Sequence, residues 1–338
     1  MIKLPKTLLT LTLASLLTAC GSHPIYTMGA KVMENFSESV ATPHILELSD
    51  VDVTCRFGSN MSPLFGTFNS LTDTGQETLS LLYLLSANCS EQAALAAELR
   101  SIRALQNGLV NEAKDARTEQ KRWLKLTAER RKKTFESAMA AYKYDYTDSE
   151  AKCPKLKQPQ DELVFLLGLL TGLQAILADS GAELAAGVPR NIAPAAVRAS
   201  YCLDDDAWGG SPSAIRAAIW TLLPDLMPSR DLNTWELLNA SSAKSLDFGV
   251  RIPIALQAIM AETAGNEAEL ARALALVDSS FQPKPEYALV DAIALSHVQA
   301  VSDRQWTSKH GERTPFGQLG KSATPQLEED AADLDALF

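Results

Sequence analysis

The sequence predicts an all-α protein made of stacked helical hairpins, and three features predict it. Alanine and leucine dominate, while the alternating Val/Ile-rich runs that make strands are scarce. Apolar residues recur at helical spacing, as in Leu95, Leu99, Ile102 and Leu105. From Asp161 onward, segments of roughly 10 to 18 residues alternate with short Pro/Gly breaks, the rhythm of helix pairs stacked in series.

The chain starts with Lys3 and Lys6, then an uncharged, Leu-rich run of 13 residues from Thr7 to Ala19, and then Leu17-Thr18-Ala19-Cys20 at its edge. The run is too short for an ordinary membrane span and suits a signal peptide. Small residues before a cysteine, with polar Gly21-Ser22 after it, read as a bacterial lipobox. Residues 1–19 are then removed and Cys20 becomes a lipidated N-terminus; a non-lipidated signal peptide cleaved elsewhere is the alternative. Two or more acyl chains suffice for stable anchoring at ~0.8 kcal/mol per buried CH₂. Gly21 is not the Asp of inner-membrane retention. By resemblance to enterobacterial lipoproteins, this places the protein on the periplasmic face of the outer membrane of a Gram-negative cell.

Loss of Lys3 and Lys6 moves the formal charge from −10 to −12, which argues against nucleic acid as a partner. The remaining 319 residues are enough to bury a large core. Four cysteines follow Cys20, namely Cys55, Cys89, Cys153 and Cys202. An even number in an oxidising compartment points to two disulfides, for which three connectivities exist. Cys55–Cys89 and Cys153–Cys202 are the expected pairs, because each brackets one local helical unit; four buried thiols are the alternative. No C-x-x-C occurs, and His23, His44, His297 and His310 are scattered, so no metal site is expected.

Residues 20–45 read as a polar tether broken by Pro24 and Pro43, with a short helix conceivable over Met28 to Val40. Val51 to Phe68 is apolar but interrupted by Gly58, Pro63 and Gly66, which predicts two short helices around Cys55. Leu79 to Ala87 is a strongly apolar helix. Ser90 can cap the next, and Gly108 ends it. Leu109 to about Lys143 is a long helix, roughly 50 Å at 1.5 Å per residue. Its Arg130-Arg131-Lys132-Lys133 run reads as a solvated face among mixed charges rather than a headgroup-binding patch.

Leu163 to Ala178 carries no charge and belongs at the centre of a bundle. Gly168 and Gly172 within it form G-x-x-x-G, which lets another helix approach closely. Beyond it, Ser211-Pro212 opens a helix through Leu223, Asp231 caps one through Phe248 that Gly249 ends, and Asn266 with Glu269 opens Glu267 to Val277. The last strong helix runs from Glu286 to about Trp306. No strict tetratricopeptide consensus recurs, so the domain at 46–316 is predicted to be TPR-like with degenerate repeats, followed by an acidic tail at 317–338.

No H-E-x-x-H, G-x-S-x-G, P-loop or dinucleotide-binding glycine pattern is present. Asp204-Asp205-Asp206 lacks calcium-loop spacing and reads as capping and solubility. Asp291 and His297 are too far round one helix to form a dyad. The chain is therefore expected to be non-enzymatic and free of cofactor and metal. One constellation points to binding: Tyr201, Trp208, Trp220 and Trp235 lie close in sequence, with Arg216 among them. Trp208 sits on a Gly-Gly loop entering a helix whose free N–H groups suit an anionic head. Arg216 would add a charge-assisted hydrogen bond, and Trp220 and Trp235 apolar walls. Plain core packing is the alternative.

The lipobox, the helical TPR-like body and the basic helix followed by Tyr142-Lys143-Tyr144 together resemble the TRAP-transporter T-component (TatT) family of periplasmic lipoproteins. So do Trp208-Gly209-Gly210 with Ala217-Ala218-Ile219-Trp220, Tyr287-Ala288, Asp303-Arg304-Gln305-Trp306 and the acidic, Leu/Phe-ended tail. The resemblance spans most of residues 46–306. The four cysteines and the Gly168/Gly172 helix are not features the family requires. The resemblance implies a transport-associated lipoprotein that works with a periplasmic solute-binding protein, binds an organic acid or a small apolar or amphipathic molecule, and can form homo-oligomers. A helical-repeat scaffold for envelope or secretion machinery is the competing reading.

Overall fold

The computed structural model describes residues 24–72, 75–277 and 280–321 and is all-helical over them. Cys20 with its lipobox, His23 and the acidic Leu/Phe terminus lie outside the described residues. The first helix, α1 (Pro24–Phe36), passes through a π-helical turn at Ser37–Ala41 into α2 (Thr42–Leu46). This is a correction to the expected tether at 20–45. The segment is pinned by small and polar groups together with Met33, Ile45 and Leu46, which pack on the core. Ala30, Ser37 and Thr42 are buried, Gly75 N donates to Glu34 Oε1 at 2.7 Å, and Thr78 Oγ1 donates to Ser37 Oγ at 3.2 Å.

A single helix, α3 (Val51–Thr72), replaces the expected pair and carries Pro63 inside it. Asp50 caps it, accepting from Val53 N at 3.0 Å. Gly58 breaks nothing; a Cβ there would lie 2.6 Å from Leu85 Cβ, so it is a contact point. The helices α4 (Gln76–Gln106) and α5 (Val110–Ala141) form the longest hairpin, turned at Gly108 with φ +72°. No break occurs at Ser90. Its hydroxyl donates to Ala87 O at 2.9 Å and accepts from Thr127 Oγ1 at 2.8 Å, tying the hairpin together instead of opening a helix.

Helix α6 (Pro159–Gly181) starts with a capping box between Gln158 and Asp161 and is buried over most of its length, as its uncharged sequence predicts. A Cβ on Gly168 would sit 2.4 Å from Ala138 Cβ, and one on Gly172 would sit 2.7 Å from Phe135 and 2.8 Å from Ile192. The G-x-x-x-G therefore presses α6 against α5.

Shorter helices follow: α7 (Ile192–Ser200), α8 (Ser211–Leu222), α9 (Thr234–Phe248), α10 (Ile252–Ala264) and α11 (Glu267–Ala275). Their breaks match the Pro/Gly punctuation, with two changes of cap. Asn233, not Asp231, accepts from Trp235 N and Glu236 N, and Gly210, at φ +77°, precedes α8 in place of Ser211. Both expected disulfides form, Cys55–Cys89 between α3 and α4, and Cys153–Cys202 between the loop before α6 and the end of α7. A buried pair, Arg251 Nη2 to Asp291 Oδ2 at 2.5 Å, joins α10 to the last helix, α12 (Ala288–His310). This helix folds back on the first hairpin, where Gln106 Nε2 donates to Thr307 O at 3.0 Å. The stacked hairpins are thus closed on themselves.

The α5–α6 seam yields a stability prediction. Gly168→Leu and Gly172→Leu should each cost ~1–3 kcal/mol or more by overpacking. Gly29→Ala, where nothing lies within 4 Å, should be neutral or stabilise by about 0.5–1 kcal/mol. Urea denaturation of the three variants checks both signs.

Candidate functional site

Closing the array leaves an apolar cavity of about 400 Å³ between the covering segment α1–α2 and helices α3, α4, α6, α10 and α12. Its walls are aliphatic: Leu81 and Leu85 from α4, Leu167 and Leu170 from α6, Leu256 and Ile259 from α10, Leu289 and Ile293 from α12. The mouth is marked by residues that line the cavity and are also exposed. These are Phe36 and Val40, each about half accessible, with Phe57 on α3 and His44 on α2.

One end is polar. There α6 supplies Gln174, α12 supplies His297, and α5 inserts Arg131 between them and Glu91. Arg131 is 1 % exposed. Its Nη2 meets Glu91 Oε2 at 2.5 Å, and its Nη1 donates to Gln174 Oε1. Gln174 Nε2 lies 3.1 Å from His297 Nε2. Because Gln174 spends its oxygen on Arg131, its amide donates to the ring, which leaves the imidazole proton on Nδ1, 3.8 Å from Glu91 Oε1.

Burial acts most strongly on Glu91 and would raise its carboxyl, but Arg131, helped by Arg304, outweighs it and holds it below the usual range. Burial, aided by Arg131 and Arg304 and opposed by Glu91, pushes the His297 imidazole down, so it is neutral at pH 7. The cluster is one guanidinium, one carboxylate, an amide and a neutral ring. One polar group stays unmatched: Arg131 Nε is buried without a hydrogen-bond partner.

The residues expected to bind ligand are placed elsewhere, and none of the four lines the cavity. Trp208 is buried, donates from Nε1 to Glu162 Oε2 at 2.7 Å, and packs on Phe248 and Tyr287. Arg216 is also buried. Its Nη2 pairs with Asp205 Oδ2 at 2.6 Å, and its guanidinium lies over the Tyr201 ring at 4.4 Å. The expected anion site at the start of α8 is filled by the chain itself: Asp205 Oδ1 accepts from Ser213 N at 2.6 Å. The aspartate triplet thus works as a cap, as expected. Trp220 and Trp235 border a separate, shallow and more polar cleft beside Met227 and Asn233.

The reading of Arg131 as part of a solvated run is corrected here. Arg131 shares a stripe with Ala128, Phe135 and Ala138, all fully buried, and that spacing is the signal that separates it from Arg130, Lys132 and Lys133. Gln174, polar within an otherwise apolar helix, is a second such signal.

Beside the mouth, acidic groups hold the covering segment. Gln160 Nε2 donates to Glu77 Oε1 at 3.2 Å and to Glu38 O at 3.5 Å, with Asp161 and Tyr142 close by. Burial first, and the Glu38 carboxylate second, push Glu77 up to about 7, against the lowering effect of the Gln160 hydrogen bond. With its folded value above the ordinary 4.5, protonated Glu77 contributes stability at low pH that is lost as pH rises from about 4.5 to about 7. Glu77→Gln should therefore change little near pH 4.5 and stabilise by about 1–2 kcal/mol at pH 8, allowing for partial solvent screening. Urea titrations at the two pH values check it.

No family model, no curated protein and no solved structure matches the chain, so the chemistry of the site rests on its own residues.

Proposed function

We propose that the protein is a non-enzymatic, lipid-anchored envelope protein that holds a small apolar or amphipathic molecule in the cavity between α1–α2 and α12. In this reading it serves as an accessory to a solute-transport system and docks a periplasmic solute-binding protein. The observation that carries it is the cavity. Native interiors are close-packed with few voids larger than a water, whereas ligand sites are apolar spaces of about 300–1,000 Å³ with a few placed polar groups. A cavity of about 400 Å³ with aliphatic walls and one polar end fits the second description. Two disulfides suit an oxidising compartment, and the Cys20 lipobox supports attachment to the outer membrane's inner leaflet.

The ligand reading predicts that the mature chain takes up N-phenyl-1-naphthylamine, a neutral dye that brightens in apolar surroundings. Ala294→Phe, which puts a ring into the cavity from α12, should weaken uptake at least about tenfold while circular dichroism stays unchanged. A folded wild type that takes up no dye and carries no molecule in native mass spectrometry would favour the scaffold reading. The anchor reading is tested separately: radiolabelled palmitate should enter the wild type and not Cys20→Ser.

A further inference from the structure

The polar end of the cavity has a charge balance that bears on what it accepts. Arg131 is the one lysine or arginine that lines the cavity among the described residues. It faces inward with its charge already matched by Glu91 at 2.5 Å, and with Nη1 taken by Gln174. The next cation, Arg304, is not free either, since Nη2 meets Glu262 Oε2 at 2.6 Å and Nη1 lies 3.7 Å from Glu98. Two guanidiniums and three carboxylates leave this end at one net negative charge, with His297 neutral beside them.

We infer that the polar end receives an uncharged oxygen acceptor, the hydroxyl or ester carbonyl of a single-chain amphipath, and disfavours an ionised carboxylate. This rests on the ligand-binding reading above. It departs from the carboxylate suggested by the tryptophan cluster, whose anion site is filled by Asp205. Two physical arguments support it. A second carboxylate entering beside Glu91 would lose its hydration and share one guanidinium with an anion already in place, and a buried charge without its own partner is strongly disfavoured. A neutral oxygen faces no such repulsion, and Arg131, the cation on the cavity wall, keeps an Nε–H that no acceptor in the protein satisfies. The aliphatic walls take the chain.

The test is displacement of N-phenyl-1-naphthylamine from the full mature chain at pH 8 by three probes with the same chain: hexadecanol, methyl hexadecanoate and hexadecanoate. The alcohol and the ester should displace the dye at concentrations at least about tenfold lower than the carboxylate. Glu91→Gln, which leaves the Arg131 charge unmatched, should close or invert that ratio. Equal or tighter binding of hexadecanoate to the wild type overturns the inference, as does an unchanged ratio in a folded Glu91→Gln. Where Glu91→Gln does not fold, the wild-type ratio alone decides. If the wild type binds no dye, the ligand-binding reading itself falls and this inference with it; dye binding with the wrong ratio overturns this inference alone.

Discussion

The contact on which the rest depends is the seam where α6 lies on α5. Gly168 and Gly172 have no side chain to hold the helices apart, so Ala138 and Phe135 meet the α6 backbone directly. An approach this close decides what else on α5 is buried. Arg131 stands one turn before Phe135 on the same stripe and is carried into the interior with it. A guanidinium cannot sit there alone, because an unpaired buried charge is far more costly than a paired one. The partners come from three other helices: Glu91 from α4, Gln174 from α6 and, through Gln174, His297 from α12. The polar end of the cavity is therefore a consequence of a packing motif.

Closure turns that polar cluster into one end of an enclosed space. An open stack of hairpins has a groove; here α12 returns to α4 and is fastened along its length. Arg251–Asp291 holds it near its start, Arg304 bridges Glu262 of α10 and Glu98 of α4, and Gln106 binds Thr307 near its end. On the other side, α1–α2 lies across α3 and α4, fixed by Glu34, Ser37 and the hydrogen bond from Gln160 to the Glu38 carbonyl. The covering segment turns Ala30, Ser37, Thr42 and the apolar Met33, Ile45 and Leu46 inward and leaves Ile25, Met28, Val32 and Phe36 exposed. The mouth of the cavity thus carries apolar side chains, Phe36 and Val40, beside the polar His44.

Much of this was legible in the sequence, for physical reasons that differ from feature to feature. Helix ends after Asp161 were marked because Pro and Gly act on the backbone locally, whatever the tertiary context. The disulfide pairs were legible because each closes a local unit, and α6 because an uncharged helix has only one place to go. Pro63 and Ser90 misled for the opposite reason. Pro63 is accommodated inside α3, and the Ser90 hydroxyl is used across the hairpin by Thr127, so tertiary contacts overrode local signals. The α1–α2 segment looked like a tether because it is polar and bracketed by Pro24 and Pro43, and its fully buried positions, Ala30, Ser37 and Thr42, are small or polar. The cavity had no signature of its own, since its walls are the same leucines and isoleucines that fill a core.

The buried arginines show how one residue type takes different parts in the same fold. Arg216, Arg251 and Arg131 are all buried, each with an acidic partner within 2.6 Å. Burial and pairing alone do not separate them. The use of the remaining donors does. Arg251 gives Nε and Nη2 to Asp291 and lies over Phe281. Arg216 divides its donors among Asp205, Ser213 and Ser200 and lies over Tyr201. Arg131 alone of the three lines a cavity and keeps a buried N–H with no acceptor. That difference in how the donors are used, more than burial or charge, separates Arg131 from the two arginines that tie one segment of the chain to another.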